Sequence, residues 1–181
     1  MRIKYVIQLF VLAAPIFISA CRPYQPTPID ALTEWPGKLD GADSALLESV
    51  QILKEEEVAG GLVILYSIPA KEPGEHVLVS TFVTPEGRGW RAQSSGWKDY
   101  SDSDDFVVSG IAGGNITDLT TVSGISNKGE VVRIEWSDGQ IDLLPVEEGT
   151  FLFSRPETLT FRGIELLDRA GEALESREWD G

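Results

Sequence analysis

The sequence predicts a mainly β protein with a small α+β part towards its amino-terminal side. Three observations carry that expectation. The 181 residues include 18 glycines and 10 prolines, the punctuation of many short strands. Glu75 to Thr84 sets Val77, Val79, Thr81 and Val83 on one parity and Leu78 and Phe82 on the other, the period of a strand. From Glu130 to Phe153, Val132, Ile134 and Trp136 alternate with Val131, Arg133 and Glu135. Asp138-Gly139 interrupts, and Ile141 and Leu143 resume the alternation. Asp-Gly between alternating runs predicts a two-residue type I′ hairpin, because that turn needs positive φ at both central residues. The loop then sets Trp136 opposite Ile141, Ile134 opposite Leu143 and Val132 opposite Pro145. One face is wholly apolar; the other opposes Glu135 to Asp142, a repulsive pair that Arg133 relieves diagonally.

Length bounds one large domain or two small ones. Hydrophobic content of 42% is ordinary for a globular chain, and the formal net charge is −14. Nucleic acid and anionic headgroups both reward clustered Lys and Arg, so neither suits this surface as a partner.

At the amino terminus, Arg2 and Lys4 precede Tyr5 to Ile18, a mostly apolar run broken by Gln8 and Pro15. Its length is that of a signal-peptide core and short for a membrane span. It ends in Ile18-Ser19-Ala20-Cys21. This stretch resembles bacterial lipoproteins, whose lipobox is an aliphatic residue, two small residues and cysteine. The resemblance implies cleavage before Cys21, lipidation of its sulfur and anchoring on the extracytoplasmic side of the cell envelope. It covers the first 21 residues. Cys21 is the only cysteine, so no intrachain disulfide competes for it.

The expected organisation is a signal peptide over 1–20, a Pro-rich tether over 21–40, a small α+β subdomain over 41–100 and a β-sandwich-like subdomain over 101–181. Pro23, Pro26, Pro28 and Pro36 favour extended backbone in the tether. Asp43 or Ser44 caps a helix reaching about Glu57, with Leu46, Leu47, Val50 and Leu53 as its apolar stripe. Glu55-Glu56-Glu57 then falls at the helix carboxyl end, where the dipole disfavours negative charge. Gly60-Gly61 stops the helix. Leu62 to Ile68, apolar on both parities, reads as a doubly covered strand. Glu75 to Thr84 follows, then Arg88 to Ser95 after a turn at Pro85-Glu86-Gly87. Gly96 to Asp105 is polar and acidic and marks a subdomain boundary. Beyond it lie Phe106 to Ile111, Thr120 to Ile125, the hairpin, Thr150 to Phe153, Thr158 to Leu167 and a last strand near Glu172. Leu159 and Phe161 share one parity, Ile164 and Leu166 the other, so Gly163 marks a bulge. These short strands with regular turns resemble an immunoglobulin-like β-sandwich, a fold that hosts unrelated functions.

Candidate chemistry is sparse. His76 is the only histidine and reads as packing or surface. Asp99, Asp102, Asp104 and Asp105 crowd one loop, but Phe106 breaks the ligand alternation of a calcium loop, so no metal is expected. Gly110 to Gly114 lacks the following helix that a phosphate loop needs, and no cofactor is expected. The ligand-binding candidates are Trp97, Tyr100, Asp102 and Asp104. They lie in or beside the acidic loop Asp99 to Asp105, which Trp97 and Phe106 bracket where the two halves meet, and inter-domain clefts favour ligands. The function expected is a non-enzymatic binding module of the envelope with a protein or glycan partner. The alternatives are a carboxylate-dependent glycan hydrolase and a structural envelope component.

Overall fold

The structure, a computed structural model, describes residues 24–32, 49–111 and 118–178. The signal segment, Cys21, the expected start of the helix over 43–48 and the tail from 179 lie outside the described residues. In chain order come helix α1 (Pro28–Leu32) and strands β1 (Gln51–Val58), β2 (Gly61–Pro69), β3 (Glu75–Glu86) and β4 (Gly89–Ser101). Then follow β5 (Phe106–Ile111), β6 (Thr120–Ser126), β7 (Val131–Trp136) and β8 (Ile141–Pro145). The last are β9 (Thr150–Arg155), β10 (Phe161–Leu167) and β11 (Ala173–Glu178).

The strands form three antiparallel sheets, with orders β1-β2-β3-β4, β5-β6-β9 and β11-β10-β7-β8. The middle sheet is covered on both faces. Its Val107, Ile111 and Leu152 pack with Val63, Leu65, Leu78 and Phe82 of the first sheet. Its Phe106, Val108, Val122 and Phe151 pack with Val132, Ile134, Trp136, Ile164 and Leu166 of the third. Strands β5 to β11 therefore form a β-sandwich, three strands (β5, β6, β9) against four (β11, β10, β7, β8). Trp136, on β7, is fully buried in it. The chain is mainly β, as its alternation predicts.

The helix expected up to Glu57 is corrected: residues 51–58 are strand β1. Of the expected apolar stripe, Val50 packs into the outer core and Leu53 into the inner one, which is the alternation of a strand and not one helix face; a bulge lies between Ile52 and Lys54. As a strand, the Glu run has partners. Ser154 of β9 donates a hydrogen bond to Glu56 (2.7 Å), and Lys54 pairs with Glu147 at 2.7 Å.

The stretch expected as a tether is also corrected where it is described. Gln25 and Trp90 exchange backbone hydrogen bonds of 3.1 and 2.7 Å. Ala31 and Leu32 of α1 are buried against Ile64, Tyr66, Ile68, Val77, Val79 and Val83. Thr27 caps the helix: its Oγ1 accepts from the Asp30 N–H (3.1 Å), and Asp30 Oδ2 accepts from the Thr27 N–H (3.2 Å). Pro28 takes the first helical position, where a missing N–H costs nothing. Thr27-Pro28-Ile29-Asp30 carries the cap signal in the sequence, and the surrounding prolines mask it with the signature of extended chain.

The hairpin between β7 and β8 exists, but its register differs by one residue. Gly139 N–H donates to Trp136 C=O, and Trp136 N–H to Gln140 C=O. Gly139 has φ +84°, and Glu148 is the only described non-glycine with positive φ, so Asp138 is not left-handed. This is a three-residue loop ending in a left-handed glycine, not type I′. Ile134 faces Asp142, Arg133 faces Leu143 and Glu135 faces Ile141. A one-residue shift sends every β8 side chain to the other face. Ile141 and Leu143 are 50% and 63% exposed. Asp142 turns inward, accepting from Trp136 Nε1–H (2.7 Å) and pairing with Arg155 (2.8 Å).

Candidate functional site

Trp97 stands near the middle of β4, which continues past the strand end expected at Ser95 and pairs with β3 as far as Ser101. At Gly96 the strand runs so close to β5 that a Cβ there would sit 1.8 Å from the Gly110 carbonyl oxygen. Only glycine permits this approach. Next to it, Trp97, Lys98, Val108, Ser109, Gly110, Leu159, Thr160 and Phe161 line a slot of about 200 Å³. It opens where the first sheet meets the sandwich. Leu159 and Phe161 belong to the fringe of the sandwich core, which makes the slot apolar inside, and Trp97 is 55% exposed.

Tyr100, Asp102 and Asp104 gather elsewhere. Trp97 pairs with Val79 and Tyr100 with His76, residues of opposite parity, so the two aromatics lie on opposite faces of β4. The Tyr100 hydroxyl shares a hydrogen bond with Ser67 Oγ (2.8 Å), and its ring stacks on His76 with centroids 5.1 Å apart. His76 Nε2 contacts Asp102 Oδ1 at 2.9 Å, and Asp102 N–H donates to the Gly74 carbonyl. Asp104 Oδ2 accepts from the Ser101 N–H (2.8 Å) and hydroxyl (3.2 Å). Lys128 pairs with Asp105. The acidic loop thus spends carboxylates on holding the β4–β5 turn and on fixing His76. Among the described residues, no group of three or more His, Cys, Asp or Glu is placed to hold a metal ion.

Sequence reasoning missed the outer face of the third sheet. A depression of about 320 Å³ lies over Gly163, lined by Arg133, Glu135, Arg162, Glu165 and Glu178 among others. The register shift between Phe161 and Gly163 is the bulge expected from the parity slip, and the missing side chain at Gly163 leaves the hollow. Arg133 joins Glu165 (2.6 Å) and, at 3.8 Å, Glu135. The alternation of Arg133 and Glu135 was visible in the sequence; their meeting with β10 needed the sheet order.

The chain matches no protein-family model, no curated protein and no solved structure.

Proposed function

We propose that this protein is a lipid-anchored component of the bacterial cell envelope that binds a partner through the slot beside Trp97. The observation that carries the binding reading is a half-exposed tryptophan at the side of an apolar slot, formed where two parts of the fold meet. Large aromatics with one face free supply binding area at low entropy cost, and such junctions concentrate ligand sites. The lipobox ending at Cys21 supports the anchor. Each buried methylene of an acyl chain contributes about 0.8 kcal/mol, so two or three chains hold firmly.

Metabolic labelling with a fatty-acid analogue tests the anchor: the native chain takes up label and Cys21→Ser does not. Label on the variant sinks that part. For the slot, envelope extracts are captured on the full chain and on Trp97→Ala. A protein or glycan retained by the native chain and lost from the variant supports the site; equal retention overturns it.

A second reading, a glycan hydrolase, draws on the three carboxylates around the depression over Gly163. Paired carboxylates across a groove are the machinery of that chemistry. Glycan hydrolysis by the purified chain, abolished in Glu165→Gln, would select it; no hydrolysis by the native chain removes it.

A further inference from the structure

The third sheet has two edges that no described strand covers, β11 and β8. Exposed edges invite pairing, and natural proteins guard them with charge. Strand β11 carries Glu175, Arg177 and Glu178 within six residues. Strand β8 is guarded by its length of five residues and by Pro145 at its end, but it presents no outward charge. Its only charged residue, Asp142, turns inward to Trp136 and Arg155, and Ile141 and Leu143 stand exposed. The edges of the other two sheets lie beside one another, β1 against β9 and β4 against β5.

The free backbone of β8 can be assigned. Gln140 accepts from Trp136, and Val146 donates to Glu130. In an antiparallel ladder the groups of alternate residues point the same way, so 140, 142, 144 and 146 bond towards β7. The N–H and C=O groups of Ile141 and Leu143, and the Pro145 carbonyl, point away from it. Pro145 therefore sits where its missing N–H breaks no bond of the sheet.

We infer that β8 accepts an extended segment of another protein by strand addition, and that this segment has apolar residues on alternate positions and basic residues at its flanks. The backbone groups of Ile141 and Leu143 supply the hydrogen bonds, and their side chains the apolar contact. The flanks follow from charge. Asp138 and Glu148 bracket the strand, both exposed; Glu147, beside the second, is already paired with Lys54. A second copy is a poor occupant. Antiparallel pairing about Leu143 sets Asp138 of one copy opposite Glu148 of the other, at both ends, between chains of net charge −14. Opposed like charges are destabilising; Lys or Arg at those positions converts both ends to attraction. This surface is separate from the Trp97 slot, and Trp97→Ala leaves it intact.

The test titrates the full chain, in detergent micelles, into a labelled peptide Lys-Lys-Thr-Val-Thr-Val-Thr-Val-Thr-Lys-Lys, whose end lysines fall opposite Asp138 and Glu148 when its central Val faces Leu143, read by fluorescence anisotropy. Two controls are the same core with glutamate flanks and the Lys-flanked peptide N-methylated at every core amide. Amide hydrogen exchange over 140–146 is followed in parallel. The Lys-flanked peptide is expected to bind and to slow exchange over 140–146, with both controls at least tenfold weaker. Leu143→Lys, which puts an outward charge on the edge, weakens binding at least tenfold with an unchanged melting midpoint. Leu143→Thr, which keeps strand propensity, weakens it severalfold. No binding of the Lys-flanked peptide, equal binding of the glutamate-flanked one, or unchanged exchange over 140–146 overturns the proposal. So does a chain that sediments as a dimer in the absence of peptide and loses the dimer in Leu143→Lys, since the edge then belongs to a second copy.

Discussion

Asp142 shows how one side chain records a change of register. A carboxylate facing the core of a sandwich is costly unless charge and hydrogen bonds meet it. Here Arg155 and the Trp136 indole N–H both engage its Oδ2. The Arg155 guanidinium also lies over the Trp136 ring, 5.0 Å from its centroid. Removing the carboxylate leaves a mostly buried guanidinium and an indole N–H without their acceptor. Asp142→Ala is therefore expected to cost about 2–4 kcal/mol in urea denaturation. Asp142→Asn keeps an acceptor for the indole and should lose less. Equal, small losses in both would mean that Asp142 lies on the solvent face, as a two-residue loop at Asp138-Gly139 requires.

Turns and caps decide the elements. The type I′ geometry expected at Asp138-Gly139 occurs instead at Glu148-Gly149, with φ +52° and +77° and reciprocal backbone bonds of 2.9 Å between Glu147 and Thr150. Glutamate is a poor residue for that position, since a left-handed backbone crowds its Cβ. Glu148→Gly is expected to raise stability by about 0.5–1 kcal/mol, read as a shift of the urea midpoint. By the same geometry, Gly139→Ala should cost about 1 kcal/mol and Asp138→Ala less. Helix α1 matters through its packing, not its five-residue length. Leu32, 1% exposed, is expected to cost about 2–5 kcal/mol on replacement by alanine. Deleting residues 1–32 uncovers the apolar face of β2 and β3 and should yield aggregation-prone protein, whereas deleting 1–22 should not. Equal solubility of the two truncations, compared by sedimentation, would show that α1 does not contribute to the fold.

Across the whole molecule, the first sheet and the sandwich share a core, and side chains close the seam between β1 and β9. Burial pushes the Glu56 carboxyl above its ordinary value of 4.5, while the Ser154 hydrogen bond and Lys54 draw it part of the way back. A folded-state pKa above the unfolded one means that the native state holds the proton longer. Glu56 therefore favours folding most at low pH, and this contribution is lost as pH rises from 4.5 through the raised value. Glu56→Gln, which still accepts from Ser154, should raise Tm at pH 7 and leave it nearly unchanged at pH 4. A variant whose Tm difference is the same at both pH values would remove Glu56 from the pH dependence.

Alternation along the chain was enough to make it mainly β, to place β2, β3, β5, β6 and β7 within a residue or two, and to mark the bulge at Gly163. Those are features of local alternation, and a strand covered on one or both faces writes them directly into its residues. Trp97, a binding candidate from the sequence, is 55% exposed in the fold. Tertiary structure alone decided the rest. Val50 and Leu53, three residues apart, suit one face of a helix or the two faces of a strand, and only pairing with β2 distinguished the two. A third loop residue, which Asp-Gly does not exclude, moved β8 by one position and turned Ile141 and Leu143 outward. The slot beside Trp97 and the depression over Gly163 join strands that are distant in sequence, the one where the first sheet meets the sandwich, the other by the pairing of β10 between β7 and β11.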